Sequence, residues 1–337
     1  MDFAENLKRY GNVRTVSIAF PSSIFDNTPT AQLEAYLVGQ VARAAVVFNV
    51  CEIIIFNEDD SPTSVARQER LAKLFEYAEC PQYLRKRLFA IEPDLKYAGL
   101  IHPLEAQHHL RTSQLECPYR EGVTVKHLTF EHKGKQEDCT EINIGLNRPV
   151  VASGTLEIGT RVTLKVDPAD LKKIQSMLGP AMEKVQALVV PPVEPVEKLG
   201  LFWGYYVRKA TSLSQTMKQN IFCPDKKNFY DLVIGTSERG ECIDNIKFGN
   251  IGSDDAEEEG RTKKKRKSEF RHILVVFGGV RGLEHSASCD KELKNCDDVA
   301  SLFQYYINTC PNQGSTTIRT EEAILITMSA LRPSLKL

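Results

Sequence analysis

No run of apolar residues in this chain reaches the roughly 18 positions that a membrane-spanning helix requires. Its opening residues, MDFAENLKRYGN, hold no apolar core of the kind that marks a secretory signal. Both absences point to an intracellular protein. The nine cysteines, Cys51, Cys80, Cys117, Cys139, Cys223, Cys242, Cys289, Cys296 and Cys310, include no C-x-x-C pair. A structural zinc needs such close pairs to complete a tetrahedron and is not expected. An odd number of scattered thiols fits a reducing compartment. A surplus of one charge is missing too: the formal net charge is −1, so a grip on RNA or DNA has to come from local patches. Two nucleotide signatures are absent. Gly278, Gly279 and Gly282 depart from the G-x-G-x-x-G spacing of a dinucleotide site and come late in the chain, and "GSTT" (Gly314 to Thr317) lacks the lysine of a P-loop.

What is present is an alternation of textures. The 337 residues are 42% apolar and 26% charged, enough for two domains or for one domain with a large insertion. "VRTVSIAF" (Val13 to Phe20) alternates like a strand. Thr28-Pro29 then reads as the start of a helix with Leu33, Leu37, Val41 and Ala45 on one face. "CEIIIF" (Cys51 to Phe56) is a short continuous apolar run, as in a strand covered on both faces. Ser61-Pro62 opens a second helix with Val65, Leu71, Leu74, Phe75 and Ala78 as its stripe. Strand–helix–strand–helix order predicts a parallel sheet. After "GLIHP" (Gly99 to Pro103) helical periodicity fades. "GVTVKHLTF" (Gly122 to Phe130) and "GTRVTLKV" (Gly159 to Val166) suggest a small β-barrel of OB type, and "PPVEPVEKLG" (Pro191 to Gly200) marks the return. The α/β texture then resumes with "YDLVIGTSERG" (Tyr230 to Gly240), "RHILVVFGGVRGLEH" (Arg271 to His285), a predicted helix from Asp297 to Cys310 whose end turns towards a strand, and a final helix. The expected organisation is residues 11–102 and 200–337 as one α/β domain, interrupted by a barrel over 103–199. Opposed charge blocks over Gly252 to Lys267 read as a disordered loop, its "KKKRK" run as a nuclear import signal.

Three glycine-bearing loops follow C-terminal elements: Gly235 to Gly240, Gly278 to Gly282, and Cys310 to Ser315. Any one alone reads as a tight turn. In an open α/β sheet, however, ligands bind beyond the carboxyl ends of the strands, and three such loops gathered there would offer many backbone groups to a nucleotide-like ligand. In order and wording, "IGTSERG", "VVFGGVRGLE" and "NTCPNQGSTTIRTEEAILITMSAL" resemble the SPOUT class of RNA methyltransferases, in the branch with an OB-like insertion. The likeness spans about Val13 to Arg332.

The resemblance implies a parallel-sheet domain whose C-terminal part forms a trefoil knot, with S-adenosylmethionine bound across the knot loops. It implies a homodimer acting on RNA, with uridine N3 of ribosomal RNA suggested at family level. For the cofactor it points to Arg239, Gly278, Gly279, Glu284, Asn308, Gln313, Gly314 and Ile318, with Arg239 also catalytic and Gly314 letting the backbone pass close to the ligand. RNA contacts are expected from Arg161 and Lys165 on the barrel face and from Arg85, Lys86 and Arg87. His285, His108 and His109 are tempting as bases but read more simply as surface or core residues. No metal is expected. Nucleus, nucleolus and mitotic spindle or centromere are the implied locations, with spindle or kinetochore proteins as further partners. The competing reading is a non-catalytic RNA-binding or spindle scaffold that keeps the fold.

Overall fold

The computed structural model describes residues 14–132, 135–176, 184–222, 230–248, 270–294, 296 and 298–335. The charged loop from Gly252 to Lys267, with its KKKRK run, lies outside them. In chain order come strand β1 (Thr15–Pro21), helix α1 (Ala31–Val47), β2 (Glu52–Phe56), α2 (Pro62–Glu79), α3 (Gln82–Leu88), then strands β3 (Tyr119–His132), β4 (Lys135–Asn143), β5 (Val150–Ser153) and β6 (Arg161–Lys165). Helix α4 (Pro168–Ser176), β7 (Leu188–Val190), α5 (Glu194–Leu199), β8 (Tyr206–Ala210) and α6 (Leu213–Lys218) follow. The chain closes with β9 (Leu232–Cys242), β10 (His272–Val276), α7 (Gly282–Cys289), β11 (Tyr305–Asn308) and α8 (Thr320–Leu335). Two compact units result. One joins Arg14–Ala72 to the part from Tyr205 onward, and the other is Lys73–Gly204. The first division thus falls inside α2, where the composition places it at 102/103. The residues after Ala72 go with the β unit because Cys80 and Leu84 are buried together with Val123 of β3.

The α/β unit holds a six-stranded sheet in the order β11-β9-β10-β1-β2-β8, every neighbouring pair parallel. All residues of β1 and β2 are buried, as central parallel strands with two covered faces require. The alternation in "VRTVSIAF" therefore does not mark a solvent face. Glu52 sits in this sheet fully buried, and its carboxylate accepts from Arg208 Nε at 2.6 Å, Ser17 Oγ at 2.7 Å and the Tyr230 hydroxyl at 3.0 Å. A buried charge persists only with such partners. Helix α1 begins two residues later than Thr28-Pro29 suggests. Thr30 is its N-cap, accepting from Leu33 N, while the Thr28 hydroxyl donates to the Phe25 carbonyl of the preceding turn.

The predicted helix from Asp297 is not found. Val299–Leu302 makes a single 3-10 turn, and Tyr305–Asn308 is a strand beside β9. Aromatic and β-branched residues favour that strand, and Phe303 and Tyr306 stack with ring centroids 5.8 Å apart. Gly235 is the complement: a Cβ there would stand 2.6 Å from the Phe303 ring.

The β unit is an antiparallel sheet in the order β5-β4-β3-β6-β7. Its two edges meet where Val151 of β5 bridges to Gln186, just before β7, so the sheet curls on itself around Ile142, Ile144, Val150, Leu164 and Val166.

Candidate active site

Strand β9 does not stop at its glycine. It pairs with β11 at Ile234 and Gly235, opposite Tyr305 and Tyr306, and again at Glu241 and Cys242, opposite Ile307 and Asn308, the register shifting between the consecutive residues Tyr306 and Ile307. Thr236 to Gly240 therefore leave the ladder as a wide bulge, a device that re-aims side chains at sheet ends. Gly240 closes it: a Cβ would lie 2.4 Å from the Ile307 carbonyl carbon. Strand β10 is followed, after Phe277, by Gly278 and Gly279, and Gly282 opens α7 with φ +77°, a backbone that side-chain-bearing residues avoid. The third loop leaves β11 at Asn308, whose Oδ1 accepts from Cys310 N while its Nδ2 donates to the Glu238 carbonyl. Further bonds lock the loops together. Thr236 Oγ1 donates to the Val276 carbonyl, Thr320 Oγ1 donates to the Gly278 carbonyl, and Thr309 and Thr327 share a hydroxyl–hydroxyl bond of 2.8 Å. Each polar group so satisfied keeps the loops ordered without help from solvent.

These loops enclose a cavity of about 380 Å³ at the carboxyl ends of β1, β9, β10 and β11, where an open parallel sheet binds ligands. Of the residues expected at the cofactor, Arg239, Gly278, Gly279, Glu284, Asn308, Gln313 and Ile318 line it. Gly314 does not: a Cβ there meets nothing within 4 Å. The left-handed residue of that loop is Asn312, at φ 58°. Ile24, Asn27 and Thr28 after β1, Leu37 of α1 and Thr327 of α8 complete the wall. No local motif announced them; only the place of β1 beside β10 brings them here. The charged side chains balance, with Glu238, Glu284 and Glu321 against Arg239, Arg281 and Arg319.

Arg239 projects from the bulge, 74% exposed, its Nη1 3.6 Å from Glu284 Oε1. Its ion-pair partner is thus Glu284 rather than its sequence neighbours Glu238 and Glu241. The same Oε1 accepts a hydrogen bond from the Tyr306 hydroxyl at 3.2 Å. Burial, together with the neighbouring carboxylate, pushes the Tyr306 hydroxyl up to about 12, so it remains a donor at neutral pH. Glu284 lies in the first turn of α7, where a negative charge is favoured.

The residues expected to touch RNA divide. Arg161 is committed elsewhere: its Nε donates to Glu121 Oε2 at 2.6 Å, and its two terminal nitrogens hold both oxygens of Glu79. It is a structural cation of the β unit rather than a free phosphate contact. Arg85 is also occupied, donating to the carbonyls of Cys80 and Ala78 at 3.0 Å each and stacking on Tyr77, so it ties off the end of α2. Lys86 and Arg87 are exposed. Lys165 is exposed with Glu194 at 3.4 Å. His108 and His109 belong to the interior: both ring Nε2 atoms meet the Glu79 carbonyl, and His108 also meets the Glu79 carboxylate at 2.8 Å. Among the described residues no cluster could hold a metal ion, and no helix is long and apolar enough to cross a membrane.

Residues 15–331 match the family model described as "Putative RNA methyltransferase". The human 28S rRNA (uridine-N(3))-methyltransferase is 38% identical over 337 residues, covering 96% of this chain and 80% of that protein. The Drosophila melanogaster protein of the same name is 36% identical, covering 96% of this chain and 63% of its own length. A solved SpoU methyltransferase from Streptomyces viridochromogenes, in complex with AdoMet, aligns at 8% identity and a TM-score of 0.31, covering 97% of this chain and 61% of its own; so slight a likeness carries no weight for the fold.

Proposed function

This chain belongs to the RNA methyltransferase family matched over residues 15–331, and on that premise we propose that it is an S-adenosylmethionine-dependent enzyme that methylates N3 of a uridine in large-subunit ribosomal RNA. The observation that carries the reading is the single cavity into which all three loops open. Its volume of about 380 Å³ suits a small nucleoside-like ligand. Ile24, Leu37 and Ile318 offer apolar walls to an adenine, and Asn308 and Gln313 offer polar groups. The equal numbers of carboxylates and guanidiniums fit a ligand bearing both an acid and cationic centres better than they fit a pyrophosphate. When bound, the cofactor supplies an electrophilic methyl group on a sulfonium. The chain's own residues then have to hold the acceptor in line and exclude water, so positioning is most of the work. Arg239, on an exposed bulge at the mouth, is placed to orient the acceptor.

Two measurements test this. Calorimetric titration should find binding of S-adenosylhomocysteine and none of NAD; the reverse would sink the assignment. Nucleoside mass spectrometry of ribosomal RNA from cells depleted of the protein should show a loss of 3-methyluridine, and unchanged levels would argue against the substrate.

The reading extends to assembly. Threading of α8 through the loops as a knot is supported by the strand order, in which β10 lies inside β9 while β11 lies outside it. Mechanical unfolding from the two ends would yield a shortened contour if the chain is knotted. The curled β unit fits an OB-like insertion that grips RNA, with Lys86, Arg87 and Lys165 as its available cations. A homodimer is supported by exposed Val280 and Leu325 beside the site. Light scattering showing only a 37.9 kDa species would count against it. A ribosomal substrate supports a nuclear or nucleolar location, which fluorescence microscopy of a tagged chain would check.

A further inference from the structure

A second cavity, of about 530 Å³, adjoins the first and shares Arg239 and Glu284 with it. Its remaining wall includes Ala287 and Ser288 of α7, Leu293, Val299 and Tyr306. The Arg239–Glu284 pair therefore stands between two spaces, one assigned above to the cofactor and one without a role. Any group passing from one ligand to another would cross there.

The side chains at that partition form an ordered hydrogen-bonding edge. Glu284 Oε1 is an acceptor in the middle. The Tyr306 hydroxyl, which donates its one proton to Oε1 at 3.2 Å, and Arg239 Nη1, at 3.6 Å, flank it; a nucleobase seated there would take the hydroxyl's proton in place of Glu284. The sequence donor–acceptor–donor complements one nucleobase edge. Uracil presents O2, N3–H and O4, which is acceptor–donor–acceptor. Cytosine presents an acceptor at N3 and a donor at N4, which would set lone pair against carboxylate and N–H against N–H. A site built to pair a polar edge rejects the analogue that leaves it unpaired, by up to roughly 10⁴-fold or more.

Resting on the methyltransferase reading, we propose that the second cavity receives the acceptor uracil, that Arg239, Glu284 and Tyr306 read its O2/N3/O4 edge, and that Glu284 takes the N3 proton. The atoms balance. The N3–H bond breaks and its proton goes to the Glu284 carboxylate. The electron pair left on N3 forms the new N–CH₃ bond as the methyl's bond to the sulfonium sulfur breaks, and a neutral thioether leaves. Uracil N3 is a nucleophile only once it has lost its proton, so this reaction needs a base within hydrogen-bond reach. Glu284 lines both cavities, and this double placement is what a base at the transfer point requires. The charged and titratable groups facing it are Arg239 from the β9 bulge and Tyr306 from β11, with Lys294, Cys296 and Asp298 on the far wall.

The test uses the full chain, an unmodified transcript of large-subunit ribosomal RNA, and S-adenosylmethionine at saturation. Glu284→Gln keeps the shape and removes the base. Its single-turnover rate should fall about 100-fold or more, and the rate should recover as pH rises and N3 loses its proton unaided. Affinity for S-adenosylhomocysteine should stay within about threefold, a readout independent of turnover. Tyr306→Phe should reduce the preference for a target uridine over a cytidine placed at the same position, with the melting temperature unchanged. Three outcomes would overturn the proposal: wild-type rates in Glu284→Gln, a rate loss matched by an equal loss of S-adenosylhomocysteine affinity, or a deficit that pH does not relieve. A wild-type protein that binds S-adenosylhomocysteine yet methylates no RNA would bring down the enzyme reading and this proposal together. Active wild-type protein with an indifferent Glu284→Gln variant brings down this proposal alone.

Discussion

Replacing Arg161 by methionine should destabilise the β unit rather than weaken RNA binding directly. Arg161 bridges Glu79 and Glu121, whose side chains are 8% and 3% exposed, while its own is 28% exposed. Methionine keeps much of the aliphatic volume and removes the charge. Two buried carboxylates then face each other with His108 as the remaining neighbour of Glu79. Breaking a buried ion pair by removing one partner costs about 3–5 kcal/mol. The partial exposure of the guanidinium puts the expected loss near the lower end, about 3 kcal/mol. At a urea slope of about 2 kcal/mol per molar, the unfolding midpoint should drop by about 1.5 M. The chain supplies its own probe. Trp203 is the only tryptophan, and its indole N–H donates to Glu121 Oε1 at 2.6 Å, so its fluorescence reports on this network. A midpoint unchanged within about 0.3 M, roughly 0.6 kcal/mol at that slope, together with a loss of RNA affinity, would refute the structural role and return Arg161 to the nucleic-acid surface.

The same network should make the β unit acid-sensitive. Burial, reinforced by His108, holds His109 down to about 3 against an ordinary 6.5, so its contribution is full above pH 6.5 and lost as pH falls towards 3, by up to about 1.4 kcal/mol per pH unit. Burial alone would raise Glu79, but Arg161 and His108 outweigh it and hold the carboxyl well below its ordinary value of 4.5; its share is present above pH 4.5 and declines as pH falls further. Trp203 fluorescence in urea between pH 7 and pH 4 should show the midpoint falling, and His109→Gln should flatten the slope above pH 4.5. Gly240→Ala should cut S-adenosylhomocysteine affinity about tenfold or more, because its Cβ would meet the Ile307 backbone at 2.4 Å and overpacking costs about 1–3 kcal/mol; calorimetry should find Gly314→Ala within about twofold of wild type. Arg85→Ala should cost about 1–2 kcal/mol by leaving the carbonyls of Ala78 and Cys80 without their donor, read from the same urea curves. Arg239→Ala should slow single-turnover methylation while thermal denaturation shows little change, since the side chain is 74% exposed and such substitutions usually stay within about 0.5 kcal/mol.

Much of this protein is legible locally. A continuous apolar run announced β2 because a strand buried on both faces cannot alternate. The three loops were legible because glycine is tolerated or required where backbone approaches backbone, as at Gly240 and Gly278. What failed did so for identifiable reasons. Periodicity over Asp297 to Cys310 suits a helix, yet Tyr305, Tyr306 and Ile307 found a ladder partner in β9, and pairing overrode the pattern. Gly314 shared the composition of a ligand loop without its geometry, while the positive φ fell on Asn312. The charged residues were hardest. An arginine alternating with apolar residues on a strand looks the same whether it faces phosphate or a carboxylate, and Glu79 stands 82 positions before Arg161. The place of Glu284 in the cavity wall was legible for the opposite reason. It follows a glycine loop at the start of a helix, so the short-range signal and the long-range fold agree on its place. Its second partner, Tyr306, comes from β11, 22 residues on. A carboxylate that touches two separate strands at the junction of two cavities is a feature of the fold that no window of sequence contains.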